Sequence, residues 1–352
     1  MSNETTIRNK IRIGVIGAGS FSRIHLEDLQ KVDVAEVVAI CDTVKENADQ
    51  KAATFNIPSV YYDYNELLAR DDIDAVTLPL PDQVHREVAV AALHAGKHVL
   101  CEKPMALNLD DCKAMVKAAR ETGKQLMVGQ IGRYTPAFVR AKEVLDSCII
   151  GDLFFIESEY AHDYSKLSGM SGWRVTPERE PIIGGGCHAV DLIRMLAGNP
   201  EEVFAYANNM SLKDWPIHDC SVAIMKFKSG AIGKVFTSTG CKREYTMRSV
   251  IYGTKGTLVF DNTSDKMTLY RDQFMPEDGM FFGKPQHEIG HTIPINVSSH
   301  NFAGEVRDFC NAIYEGKDVV SNGVEGASTA SVCLAIVESF KTGNKVVVDY
   351  DF

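Results

Sequence analysis

Residues 11–22 read Ile-Arg-Ile-Gly-Val-Ile-Gly-Ala-Gly-Ser-Phe-Ser, a strand-length apolar run that passes straight into a glycine turn and a helical pattern. That order commits the chain to a strand–turn–helix start, and the alternation continues to about Gln130. Strand patterns at 11–16, 36–41, 74–78, 97–101 and 125–128 are separated by helical ones at 21–32, 45–55, 83–95 and 108–122. Thr43 opens the second helix, and Gly96 and Gly123 stop the last two. Short, nearly continuous apolar strands between helices imply a doubly wound α/β half with a parallel sheet covered on both faces.

After about Ile131 the rhythm changes. A helix is expected at 136–146, a strand at 153–160, a Gly/Ser/Pro-rich loop, and an amphipathic helix from Cys187 to Leu196. Six strand patterns then run from Val203 to Tyr270 with Gly and Asp/Asn turns between them, as an antiparallel meander would. Helical patterns at 301–314 and 324–340 and a strand at 345–349 close the chain. A length of 352 residues suits two domains, expected here at 1–130 and 131–352. A large sheet with few covering helices leaves one face bare, which predicts a homodimer or homotetramer.

Composition excludes several classes. The net charge of −10 argues against a nucleic-acid or anionic-membrane partner. No apolar run approaches the roughly 18 residues of a membrane helix. Nine cysteines, scattered without a CxxC pair behind a polar N-terminus, read as reduced core thiols in a cytoplasmic protein.

The turn Gly17-Ala18-Gly19-Ser20-Phe21-Ser22 lies where a backbone can approach a pyrophosphate at a helix start. Ser22 replaces the usual third glycine, one small residue for another. Asp42 closes the second strand about 20 residues after Gly19, the position of the acid that binds adenosine ribose hydroxyls. It repels a 2′-phosphate, and NAD is therefore the expected cofactor. Gly17, Gly19, Ser20, Phe21 and Asp42 are its first expected contacts.

Four segments, GAGSFSRIH, LPDQVH, AGKHVLCEKP and GGGCHAVDLIRML, carry a resemblance to the glucose–fructose oxidoreductase/inositol dehydrogenase/rhizopine-catabolism (Gfo/Idh/MocA) oxidoreductases. It runs essentially end to end and is strongest over 11–140 and 173–198. The resemblance implies a Rossmann domain followed by an α/β domain with a large, mostly antiparallel open sheet. It also implies NAD-dependent oxidation of a secondary hydroxyl of a sugar, cyclitol or related polyol, or reduction of the ketone. Lys103, in Glu102-Lys103-Pro104, takes the place of the lysine beside the nicotinamide, where a cation stabilises a developing alkoxide. Pro79, Pro81, His85 and Glu102 join the cofactor contacts, as do Trp173 and Arg174.

His188 matches the family's proton-accepting histidine, but the aspartate expected four residues earlier is Gly184. Asp191, three residues on and on the same helical face, either substitutes for that carboxylate or pairs with Arg194. His162, Arg133 and Tyr134 are further expected substrate contacts. The missing aspartate keeps an alternative open, an NAD-retaining lyase, glycosidase or epimerase working through transient oxidation; a non-catalytic regulator is a third reading. The HExxH spelling at His287–His291 is set among Gly283, Pro285, Gly290 and Pro294, which favours a loop over a zinc-binding helix. No spacing compels a metal among His162, His188 and His218, and none is expected.

Overall fold

The computed structural model describes residues 10–167, 169–170, 172–271, 290–295 and 300–352. The chain divides into two compact units, and the first holds residues up to Ile131 together with Phe302–Ala330 and Asp351–Phe352. The first C-terminal helix and the start of the second cluster with the N-terminal half.

The first unit begins β1 (Ile11–Ile16), α1 (Ser22–Leu29), β2 (Ala35–Cys41), α2 (Lys45–Phe55), β3 (Ser59–Tyr61), α3 (Tyr64–Leu68) and β4 (Ala75–Leu78). It continues through α4 (His85–His94), β5 (His98–Cys101), α5 (Leu109–Thr122) and β6 (Leu126–Val128). All six strands run parallel in the order β3-β2-β1-β4-β5-β6. Helix α5 shows how the sequence sets its own limits. Asn108 accepts the Asp111 N–H at its start, and Gly123 ends it at φ +65°. The opener of α2 differs from expectation: Val44 is the cap position, and Asp42, not Thr43, receives the Val44 N–H. β3 and α3 have no counterpart in the sequence reading. A three-residue edge strand has one neighbour and carries no continuous apolar run.

The second unit contributes α6 (Pro136–Asp146), β7 (Leu153–Ala161), α7 (Pro181–Gly184), α8 (Cys187–Ala197), β8 (Pro200–Asn208), β9 (Cys220–Phe227), β10 (Ile232–Ser238) and β11 (Arg248–Gly253). β12 (Gly256–Asp261), β13 (Lys266–Arg271) and β14 (His291–Pro294) follow. Then come α9 (Phe302–Glu315), α10 (Gly323–Thr342) and the two-residue β15 (Val346–Val347). The sheet order is β14-β13-β12-β11-β7-β10-β9-β8-β15.

This corrects the expected meander. β7 sits in the middle, antiparallel to β11 and parallel to β10, so β10 and β11 are not neighbours. Alternation along a strand reports which face each residue takes, not which strand lies beside it. The Ser158–Ser249 hydroxyl pair at 3.0 Å, fully buried between β7 and β11, is a product of that pairing. α8 is buried along almost its whole length and packs on β7 and β10. The opposite face of the sheet keeps Phe154, Tyr206, Ile224 and Ile232 about half or more exposed.

All nine cysteines are free thiols, and burial pushes those of Cys41, Cys112 and Cys310 up to about 12. No described helix is long and apolar enough to cross a membrane.

Candidate active site

In the first unit, β1 delivers Gly17 to the gap between β1 and β4 where the strand order reverses. Gly17 has φ +108°, and a β-carbon on it would stand 2.8 Å from the carbonyl oxygen of Pro79, just past β4. Only glycine meets both demands. At Gly19 the direction of a β-carbon is open. Ser22 is fully buried, and its hydroxyl donates to the Gly19 carbonyl at 2.7 Å, which ties the helix start to the turn.

Asp42 leans on the same turn. Its Oδ2 accepts the Ala18 N–H at 2.6 Å and its Oδ1 the Val44 N–H at 2.8 Å. A cavity of about 400 Å³ opens here, lined by Gly17, Gly19, Asp42, Pro79, Pro81 and Val88. Tyr64, Leu80, Val84 and Glu87 also line it, and sequence reasoning assigned none of them to the site. The Tyr64 hydroxyl donates to Glu87 at 2.7 Å, a contact between α3 and α4 that no local spacing announces. An apolar slot, a carboxylate at its rim and an open glycine turn suit the adenosine and phosphates of a dinucleotide. Ser20 is exposed on this turn. Phe21 packs edge-to-face on His25 at 5.7 Å and on Phe302 at 5.4 Å.

Glu102 and Lys103 follow β5 directly. Glu102 is buried, with Oε1 2.9 Å from His25 Nε2, and its Oε2 accepts the Lys103 N–H at 3.2 Å. Lys103 is half-buried at this strand end, and the Lys103–Pro104 peptide is cis. His85 departs from the expected cofactor contact. It is fully buried, with Nδ1 3.0 Å from the Pro104 carbonyl and Nε2 3.1 Å from that of Leu80. Both ring nitrogens are thereby engaged in holding the β4 and β5 exit loops together.

In the second unit, His188 stands in the first turn of α8, 4% exposed, behind the run Gly184-Gly185-Gly186. A β-carbon at Gly185 would collide with Tyr164 and Tyr160, and one at Gly186 with Thr237. The glycines therefore let this turn lie directly on the end of β7 and on β10. At Gly184, where the family carries aspartate, the space belongs to a buried cation, because a β-carbon there would stand 2.8 Å from Arg179 Cζ. Arg179 also lies over the Trp173 ring at 5.3 Å, and Arg174 at 4.1 Å. Trp173 and Arg174 thus form a stacked layer with Arg179.

His188 belongs to an aromatic cluster. Its ring stacks on Tyr160 at 6.4 Å and lies 5.4 Å from His300, which stacks on Tyr245 at 5.3 Å. His162 lies 4.7 Å from Tyr245, and its Nδ1 is 3.4 Å from the Tyr160 hydroxyl. Burial, reinforced by neighbouring Tyr164, pushes the Tyr160 hydroxyl well up, so it stays protonated. Of this cluster His162, Tyr164 and His188 were legible in the sequence. Tyr160, Tyr245 and His300 arrive through strand pairing and loop return.

Two expected substrate contacts pair with each other. Arg133 holds Asp191 through two bonds of 2.9 and 2.8 Å, with Arg194 a further 3.6 Å from the carboxylate. All three side chains are at most 8% exposed. Asp191 is therefore held by guanidinium groups, the alternative expected for Arg194 extended to Arg133. The Tyr134 carbonyl accepts the Asn301 side-chain amide at 3.1 Å.

His218 lies against Glu180, Nδ1 to Oε1 at 2.9 Å. Among the described residues no group of three or more His, Cys, Asp or Glu comes together as a metal site. Of the HExxH spelling, residues 287–289 lie outside the described residues, while His291 pairs with Leu269 in the sheet.

Known proteins share this fold. A family model described as an oxidoreductase family with an NAD-binding Rossmann fold matches residues 11–130, and a Gfo/Idh/MocA C-terminal domain matches 138–259. Myo-inositol 2-dehydrogenase of Thermotoga maritima is 30% identical over 275 residues, covering 75% of this chain and 79% of its own. Levoglucosan dehydrogenase of Pseudarthrobacter phenanthrenivorans is 25% identical, covering 94% and 96%. A solved levoglucosan dehydrogenase in complex with NADH and L-sorbose shares the fold with a TM-score of 0.84 at 24% identity, covering 97% of this chain and all of that one. With family models matched over both halves of the chain and a relative 30% identical over three quarters of it, the chain belongs to the Gfo/Idh/MocA family and is an NAD-binding oxidoreductase.

Proposed function

We propose that this enzyme oxidises a secondary hydroxyl of a sugar, cyclitol or related polyol, or reduces the corresponding ketone. The observation that carries the reading is the cavity at the β1–β4 gap, with Gly17, Gly19 and Asp42 on one side and Pro79 and Pro81 on the other. The substrate class rests on the inositol dehydrogenase relative, which aligns over three quarters of the chain. Bound NAD supplies the hydride acceptor.

Gly17, Gly19 and Ser20 take the phosphates, and Asp42 takes the ribose hydroxyls. The nearest cation in sequence, Lys45, is exposed and sits 4.7 Å from the Tyr62 ring centre, so nothing on that segment offsets the charge of Asp42 against a 2′-phosphate. This supports NAD over NADP. Lys103 stabilises the developing alkoxide and His188 receives the hydroxyl proton. Trp173 and Arg174 serve the cofactor, and His162, Arg133 and Tyr134 shape the substrate side, with Asp191 acting through Arg133.

The enzyme works in the cytoplasm as a homodimer or homotetramer, supported by the free thiols and by the apolar residues on the bare sheet face. Light scattering of micromolar protein tests the assembly, and a monomer would contradict it.

The functional test follows reduced-nicotinamide absorbance with NAD and a panel of sugars and cyclitols. Steady growth is expected with at least one neutral polyol. A single-turnover burst would instead mark the transient-oxidation alternative, and a flat trace across the panel would overturn the reading.

A further inference from the structure

Glu305, in the first turn of α9, is a buried acid that the chemistry above does not use. It is 0% exposed, and neither carboxyl oxygen meets a hydrogen-bond donor among the described residues. It also does not stand alone. A β-carbon on Gly129 would lie 3.3 Å from both oxygens of Glu102 and 3.3 Å from Glu305 Oε1, so two carboxyls converge on one point beside Lys103.

Donors distinguish the two acids. Glu102 accepts the Lys103 N–H and faces His25 Nε2; Glu305 has neither contact. A second charge is disfavoured in two buried carboxyls this close, and Glu305, buried without a donor among the described residues, is the one whose ionised form burial opposes.

We propose that Glu305 is a positioning residue for Lys103: it stands protonated beside Glu102 and keeps the pair at a single negative charge, so that the ammonium remains available to the reacting oxygen. This role rests on the assignment of Lys103 in the proposed reaction. The charged or titratable groups facing Glu305 are Glu102 and Lys103 past β5 and Asp308 on its own helix, with His25 of α1 reaching it through Glu102. Burial is the largest influence and raises its pKa; Glu102 and Asp308 add to this and Lys103 opposes it.

Infrared spectroscopy of the full-length protein at neutral pH tests the proposal. The expected result is an un-ionised carboxylic-acid C=O band that disappears in Glu305→Gln. Glu305→Met assigns the band should the glutamine variant fail to fold. No such band in the wild type, or a band that survives both substitutions, overturns the proposal.

Stability gives a second readout independent of activity. A raised folded-state pKa stabilises the fold below the ordinary glutamate range, and that stability is lost as pH rises toward the folded value. Wild-type Tm should therefore fall more steeply than that of Glu305→Gln between about pH 5 and about pH 9. Parallel curves would contradict a protonated Glu305.

The link to Lys103 is read from the pH profile of kcat. Its alkaline limb should move up by at least about one pH unit in Glu305→Gln; an unchanged limb overturns the positioning role even if the band is present. If Lys103→Met keeps full activity, the assignment of Lys103 fails while the band at Glu305 remains, so the two failures are distinguishable.

Discussion

The two units build their chemistry in opposite ways. In the first, the residues proposed for the cofactor and the reaction sit in the turns just beyond strands: Gly17 after β1, Asp42 after β2, Pro79 after β4 and Lys103 after β5. A parallel sheet lines up its strand ends, so short segments far apart in sequence arrive on one edge without side-chain help. In the second, His188 is surrounded by Tyr160, His162, Tyr245 and His300, which come from β7, the chain just past it, the loop before β11 and the chain ahead of α9. Glycines at 185 and 186 allow that packing by removing the side chains that would block it. One site is positioned by backbone topology, the other by side-chain packing.

The largest effects should fall on the residues assigned to the reaction. His188→Asn is expected to lower kcat by about 100-fold to 10,000-fold and to remove the acidic limb of the activity profile. Retention of both rate and limb would shift the role to another member of the cluster, His162 first. Lys103→Met should cost at least about 100-fold in kcat while NAD still binds, measured by steady-state kinetics beside calorimetry. Near wild-type turnover would make Lys103 structural.

Packing should be the more fragile principle. Arg133→Met removes the bonds of 2.9 and 2.8 Å to the buried Asp191 carboxylate and leaves Arg194 at 3.6 Å from it. The expected loss is about 3 kcal/mol by denaturant unfolding, since removing one partner leaves a buried charge less compensated. A change below about 1 kcal/mol would show that the pair contributes little, as exposed pairs do.

The same contrast explains what was legible in the sequence. The glycine turn and Asp42 could be read from their spacing along the chain, and Glu-Lys-Pro from the family resemblance. For His85 the helix position was visible but its two carbonyl partners, Leu80 and Pro104, were not. The meander was expected because alternation in β9 and β10 is clear; the insertion of β7 beside β10 leaves no local mark. Gly184 read as a loss of charge, whereas the guanidinium of Arg179, five residues upstream, takes that place.

A smaller effect probes the backbone-built site. Asp42→Ala should shift the ratio of NADP to NAD affinity by about 10-fold toward NADP, the worth of a charged hydrogen-bond partner. No shift would mean that Asp42 serves only the Ala18 and Val44 amides it bonds.

The central claim is that the first unit's strand ends hold the cofactor while the second unit's histidine serves the chemistry. Calorimetric titration of NADH into wild type, His188→Asn and Asp42→Ala tests it directly. The account predicts that His188→Asn binds within about 3-fold of wild type and that Asp42→Ala binds at least about 10-fold more weakly. Loss of NADH affinity in His188→Asn with full affinity in Asp42→Ala would contradict it.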